Sequence, residues 1–329
     1  MASAQREVCP SLQGGCFLVF WCRETHIFLK KELVFANYAY LCARFIQRLM
    51  QKKSLNVVFL IAGSEPLGSA GMQADIKAIT ACGGYAACAL TAIVDEDTRH
   101  VKRIFHLPVD LIVSQAESFL GDIETGCIKT GVLPSEEIIQ GVAGVLRRYK
   151  HIPKVIDPVI VNSVGEKLVA DSAIEAYKRE LFPLATLITP NRREAEVLLG
   201  HQLNNVREDI KELGRWGCSV IIKSMQYGQM LSDFLYNAET GEVLEFAKPR
   251  IDTNNVNGTG DSFSSAIATY LSAKYPLNEA VKAGEEFISR AISLGAEYVF
   301  GHDFGPVHPC FMEDKVAHQR IYNETNKLK

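Results

Sequence analysis

From Leu55 onward short apolar runs alternate with longer amphipathic stretches. The first run covers residues 56–62, is apolar after Asn56 and stops at Gly63. A run without polar alternation is the mark of a strand buried on both faces, as in a parallel sheet. The same pattern predicts strands over residues 86–94, 127–130, 154–157, 186–189 and 219–223. Helices are predicted over residues 72–82, 134–149, 171–181, 206–216 and 278–294. Another covers residues 108–120, with Pro108 in its first turn, and another opens at Pro190 and Asn191. Residues 233–236 and 243–246 read as an antiparallel pair around Glu239, Thr240 and Gly241. The alternation predicts an α/β fold: a three-layer αβα sandwich, its mostly parallel central sheet carrying helices on both faces.

Residues 1–49 do not share this pattern. They hold four of the nine cysteines, and their apolar run from Cys16 to Cys22 is too short for a secretory signal. They are read as an N-terminal extension without assigned function, with Met50 as the natural start. Residues 50–312 read as one domain, and residues 313–329 as a polar tail.

Composition narrows the function classes. A chain that is 47% hydrophobic and 22% charged has material for a sizeable core. A net charge of −3, without basic tracts, argues against a nucleic-acid partner. No uninterrupted apolar run approaches the roughly 20 residues of a membrane helix, so no membrane partner is expected. Nine scattered cysteines, an odd number, suggest free thiols in a reducing compartment, hence a cytoplasmic home.

The chemistry gathers where strands end, since ligands of such sheets bind at the carboxyl edge. Gly258, Thr259 and Gly260 precede Asp261 and a small-residue helix. Two glycines and a helix N-terminus suit an anion, above all phosphate, and Asp261 at its mouth suits a general base. A plain glycine turn with an aspartate cap fits the same letters. Asn191 and Glu194, three residues apart at a helix start, could hold Mg²⁺ through water or simply cap the helix. Asp157, ending a strand before a proline, reads as a site residue. Lys223 either steadies phosphate charge or extends to solvent. The loop from Gly63 to Gly71 lacks the lysine of a P-loop and carries no G-x-G-x-x-G, which disfavours both common nucleotide folds.

In this order the stretches resemble the ribokinase-like superfamily, and within it the hydroxymethylpyrimidine/phosphomethylpyrimidine kinases of thiamine synthesis, with bacterial pyridoxal kinases near by. The likeness rests on residues 61–66, 70–77, 91–94, 128–131, 157–159 and 188–191, on Glu194 to Glu196, on residues 255–261 and on the ending 301–308. It implies transfer of the γ-phosphate of ATP, with Mg²⁺, to the hydroxymethyl group of a pyrimidine and then to its monophosphate. By the resemblance Gly258, Thr259 and Gly260 form the anion hole and Asp261 is the base. Asn191 and Glu194 organise the metal, Asp157 and Lys223 lie near the phosphates, and Asp157 and Glu194 reach the metal through water. Gly63, Asp75, Val94 and Glu96 line the pyrimidine pocket. A homodimer is what the family suggests.

The chain departs from the family at four places. Many relatives carry cysteine at the position of Asp261, and Glu96 replaces a glutamine. Ser224, Met225 and Gln226 replace Gly-Gly-His, and Asn257 replaces a histidine before Gly258. An ionised Glu96 accepts but does not donate hydrogen bonds. A pyridoxine or pyridoxal kinase, and a silent vitamin-binding protein, are therefore the alternatives.

Overall fold

The first strand, β1 (Val57–Ser64), explains the uninterrupted apolar run. Val58 and Leu60 enter one hydrophobic core while Phe59 and Ile61 enter another, on the opposite face of the sheet. Period-two alternation between two buried faces requires every position to be apolar. The computed structural model describes residues 54–161 and 169–310. The chain divides into two compact units, Met1–Ser54 and Leu55–Lys329, and every element below belongs to the second. The extension over residues 1–49, the proposed start at Met50 and the tail over residues 313–329 lie outside the described residues.

After β1 the chain forms α1 (Gly71–Ala81), β2 (Tyr85–Glu96), β3 (Val101–His106), α2 (Val109–Leu120) and β4 (Cys127–Thr130). Then come α3 (Glu136–Arg148), β5 (Lys154–Ile156), α4 (Asp171–Ala176), β6 (Leu187–Ile188), α5 (Arg192–Leu199) and α6 (Val206–Leu213). The remainder is β7 (Ser219–Tyr227), β8 (Met230–Tyr236), β9 (Val243–Pro249), α7 (Thr259–Ser272) and α8 (Leu277–Gly295). Among the described residues nine strands form one sheet in the order β3-β2-β1-β4-β5-β6-β7-β8-β9. The six from β2 to β7 in that order are mutually parallel, and β3, β8 and β9 add antiparallel pairs at the two edges.

Helices α2 to α6 pack on one face and α1, α7 and α8 on the other, as the two cores record. This is the three-layer αβα sandwich. The chain leaves β1 toward β2 and later returns to β1's other side with β4. That reversal opens a crevice at the carboxyl ends of the strands. Among the described residues no helix is long and apolar enough to cross a membrane.

Two strand assignments need correction. β3 was not expected: its Lys102 and Arg103 break any alternation, and it lies on the sheet edge, where only one side is hydrogen-bonded. β7 runs on from Lys223 to Tyr227 because an irregularity between Ile222 and Met225 lets it resume pairing with β8. The expected pair at residues 233–236 and 243–246 is present as β8 and β9, with β8 also paired to β7.

Candidate active site

The carboxyl edge holds one large cleft. Gly63, Val94, Glu96, Asp157, Asn191, Glu194, Lys223, Gly258, Gly260 and Asp261 all line it, so ten of the twelve residues singled out in the sequence meet there. Their segments come from both sides of the β1/β4 reversal, which only the sheet order brings together.

The turn before α7 is built for close approach. Gly258 has φ 73°, in the left-handed region. A Cβ there would lie 1.8 Å from the Ser69 carbonyl oxygen, so glycine is required on two counts. The Ser69 loop is held in turn by Glu65. Its buried carboxylate accepts from the backbone N–H of Leu67, of Gly68 at 3.0 Å and of Ala70 at 2.7 Å. Asn257 Nδ2 donates to Ser69 Oγ at 2.8 Å and ties the two loops together. Among the described residues no side chain caps α7, and Gly260 lines the cleft. The first-turn N–H groups and the positive end of the helix dipole therefore address whatever lies there.

Thr259 is a correction. It does not line the cleft; its hydroxyl donates to the Val256 carbonyl at 2.6 Å and closes the turn from behind. Asp75 is another. It belongs to α1, is fully buried, and does not line the cleft. Its Oδ1 accepts from Lys129 Nζ at 2.7 Å and from Ser265 Oγ at 2.7 Å. Asp75 thus reaches the cleft only through Lys129, which carries its charge to Asp261.

Lys129 lies in the stretch 128–131 that carries the resemblance, but the sequence reading gave it no role. It is fully buried in β4, one residue before the strand's end, and its ammonium bridges Asp75 and Asp261 Oδ1, the latter at 3.4 Å. Burial favours the neutral amine, but the charges of Asp75, Asp261 and Asp157 outweigh it and hold Lys129 above its ordinary range. Burial pushes Asp75 up to about 7 against the pull of Lys129, with the Asp261 charge adding to the rise. The two partners thus move the same way, and a charged Lys129 between two carboxylates is the state the geometry supports. A lysine in a short strand buried at every position was the available signal.

On the other side of the α7 N-terminus, Asp157 is buried and saturated with donors. Its Oδ1 accepts from Thr189 Oγ1 at 2.9 Å and Lys223 Nζ at 3.1 Å, and Oδ2 accepts from Ser264 Oγ at 3.1 Å. Burial alone would raise its pKa; Lys223, Lys129 and these bonds reverse that and hold it below its ordinary range. Lys223 does not extend to solvent: it is buried against Asp157 at the mouth of α7.

Asn191 and Glu194 form a reciprocal capping box on α5. Asn191 Oδ1 accepts from the Glu194 N–H at 3.0 Å, and Glu194 Oε2 accepts from the Asn191 N–H at 2.9 Å. Glu194 Oε1 also accepts from the Ile160 N–H at 3.1 Å. The helix-cap reading of this motif therefore holds, and both residues face the cleft as well. Burial, against the charge of Lys223 and with that of Asp157, lifts Glu194 to about 7.

Glu96 ends β2 half-buried in the cleft. Burial, joined by the charges of Glu65, Asp261 and Asp97, pushes its carboxyl up to about 7. Near neutrality a large fraction of Glu96 is therefore the uncharged acid, which donates and accepts as an amide does.

Fold and cleft together define a small-molecule phosphotransferase of the ribokinase-like class: an anion-binding helix start, a carboxylate beside it, and a cationic floor. The sequence profile described as phosphomethylpyrimidine kinase matches residues 65–308. The chain belongs to the phosphomethylpyrimidine kinase family. It is 32% identical to the hydroxymethylpyrimidine/phosphomethylpyrimidine kinase of Escherichia coli, over 75% of this chain and 95% of that protein. It is 38% identical to the thiamine biosynthesis bifunctional protein ThiED of Geobacter sulfurreducens, over 79% of this chain. That match spans 53% of the bifunctional protein, about half its length. Among solved structures, an ADP complex of Bacillus subtilis pyridoxal kinase superposes with a TM-score of 0.71 at 33% identity, covering 79% of this chain and 100% of that one.

Proposed function

We propose that this chain phosphorylates 4-amino-5-hydroxymethyl-2-methylpyrimidine and then its monophosphate, with ATP as donor, giving the diphosphate used in thiamine biosynthesis. The observation that carries the reading is the convergence of Asp261, the uncapped start of α7 and the Asp157–Lys223 pair on one cleft, in a chain of this family.

The substrate hydroxyl would lie beside Asp261. Lys129 occupies Asp261 Oδ1, which leaves Oδ2 to take the hydroxyl proton as the oxygen attacks the γ-phosphorus. The bond from that phosphorus to the β–γ bridging oxygen breaks and ADP leaves with the electron pair. Gly258, Gly260 and the α7 dipole would stabilise charge on the transferring group, with Lys223 beside them. Asp157 holds the Lys223 ammonium at that place.

The donor set bears on the metal. Asp157 and Glu194 line the cleft, yet their oxygens already accept protein hydrogen bonds. Among the described residues no group of three or more His, Cys, Asp or Glu could cage an ion. Such a set fits Mg²⁺ held through its own waters and the phosphates, with Asp157 and Glu194 as the outer carboxylates. Bound there, Mg²⁺ would supply charge neutralisation on the phosphates. A cytoplasmic homodimer is part of the same proposal.

The test is turnover of ATP by purified protein with Mg²⁺, comparing the pyrimidine alcohol, its monophosphate and pyridoxal. Turnover with the alcohol and the monophosphate is expected. Turnover with pyridoxal alone would establish the second reading, which the likeness to the Bacillus subtilis structure favours. Binding without turnover of any of them would make this a vitamin-binding protein.

Glu96 gives a sharper expectation. A protonated acid matches the adjacent ring nitrogen and amino group of the aminopyrimidine, donating to one and accepting from the other. With its pKa near 7, Glu96 loses that donor as pH rises. The KM for the pyrimidine alcohol should therefore climb roughly tenfold between pH 6 and pH 8, one decade lying on the ionised side of the pKa. Glu96→Gln should flatten the profile at the low-pH value. A flat wild-type profile would remove Glu96 from the acceptor site.

A further inference from the structure

The cleft lysine Lys223 ends the regular part of β7. Ile222 pairs with Phe234 and the next paired residue, Met225, faces Ser232. Two residues of β7, Lys223 and Ser224, therefore stand opposite one residue of β8, Asp233, which is a β-bulge. Lys223 follows Ile221 by two residues, and Ile221 belongs to the core under α1, α7 and α8, so strand alternation turns Lys223 toward α7 and the bulge fixes the backbone just beyond it. Ile222 and Met225 both belong to the core under α2 to α6, although they are an odd number of residues apart. In an unbroken strand that spacing would send Met225 to the opposite face. The extra residue lets the strand rejoin its core while Lys223 faces the α7 start.

The bulge comes at a conformational cost. Ser224 has φ 64°, in the left-handed region, and it is not glycine. Its side chain is exposed, and its backbone is what is held: the Ser224 N–H donates to Asp233 Oδ1 at 2.6 Å. Asp233 is itself buried. Its Oδ2 accepts from Lys248 Nζ of β9 at 2.9 Å, and the same ammonium donates to Glu285 of α8. Lys248 also lies 5.9 Å from the Phe263 ring of α7, the helix whose start forms the anion turn. One buried ionic cluster thus links the bulge, the sheet edge and the two helices beneath the phosphate side of the cleft.

We propose that Asp233, anchored by Lys248 and Glu285, is a positioning residue that fixes the Lys223–Ser224 bulge and so sets Lys223 against the donor phosphates. The proposal rests on the kinase reading above. It separates Asp233 from an ordinary structural ion pair by which substrate it affects. A residue that only stabilises the fold lowers the melting temperature and leaves both Michaelis constants alone. A residue that aims Lys223 raises the KM for ATP and spares the acceptor, which binds on the Glu96 side.

The experiment measures KM for ATP, KM for the pyrimidine alcohol and melting temperature for wild type, Asp233→Ala and Asp233→Asn. Loss of a hydrogen bond to a charged group predicts that Asp233→Ala raises the KM for ATP roughly tenfold, with the acceptor KM within about twofold. Asp233→Asn keeps an acceptor oxygen for Ser224 and should recover most of that loss. Adding Ser224→Gly to Asp233→Ala should also recover part of it, because glycine takes the left-handed turn unaided. If Asp233→Ala does not fold, Lys248→Met carries the test with a smaller rise in the same direction. An unchanged KM for ATP, or equal rises for both substrates, overturns the proposal. Absence of turnover by wild type is a failure of the kinase reading instead. The inference is then read from ATP binding by calorimetry: roughly tenfold weakening in Asp233→Ala supports it, and unchanged binding overturns it.

Discussion

Lys129→Met is expected to lower kcat by about a thousandfold, the scale of losing a preorganised charge at a reacting group. Among the described residues Lys129 is the one cation in contact with Asp261, and it reaches that carboxylate from within the protein, from a fully buried position in β4. Without it Asp261 Oδ1 loses its fixed partner and Asp75 is left buried beside it. Among the described residues Asp75 Oδ2 already has no hydrogen-bond partner, so the loss falls on a carboxylate with one oxygen unpaired. Removing one member of a buried pair should also lower the melting temperature by about 10 °C. The double variant Asp75→Asn with Lys129→Met removes both charges. It should regain most of the stability and none of the activity. A double variant that recovered kcat as well would reduce Lys129 to a folding role.

Asp261→Asn should lower kcat between about 10² and 10⁴-fold, the usual range for losing a general base. Asparagine keeps the size of the side chain and an oxygen for Lys129, and the first turn of α7 tolerates it. The melting temperature and the KM for ATP should therefore stay near wild type. Unchanged turnover would remove Asp261 from the chemistry and leave the α7 start as the main catalytic element. Asp261→Cys offers a graded companion: it should retain more activity than asparagine, since a thiolate can still take a proton.

Much of the cleft was readable residue by residue. Asp157 and Lys223 stand at strand ends, Asn191 and Glu194 at a helix start, and Gly258 to Asp261 at a glycine turn, each a position with a physical signature of its own. The signature did not always say what the side chain does. Asn191 and Glu194 cap α5 and also face the cleft, two roles that one spacing satisfies. Thr259 and Asp75 sit within readable motifs, yet one closes a turn from behind and the other reaches the cleft only through Lys129. Neither direction is encoded within a few residues; each follows from what packs against the segment.

The sequence by itself determined the alternating strands and helices, the sandwich with helices on both faces, and the chemical kinds gathered at one edge. These depend on local periodicity and on rules for how a parallel sheet must be covered. The tertiary structure alone decided that Lys129 meets Asp75 and Asp261. They stand on β4, α1 and α7, and become neighbours because β4 returns beside β1 while α1 and α7 share one face. It alone decided that Glu96 is buried enough, and close enough to Glu65 and Asp261, to hold its proton near neutrality. It alone placed the bulge that fixes the backbone beside Lys223, because a one-residue slip against β8 has no trace in hydrophobic pattern until the partner strand is known. Burial and distance set charge states and directions, and both are properties of the packed chain.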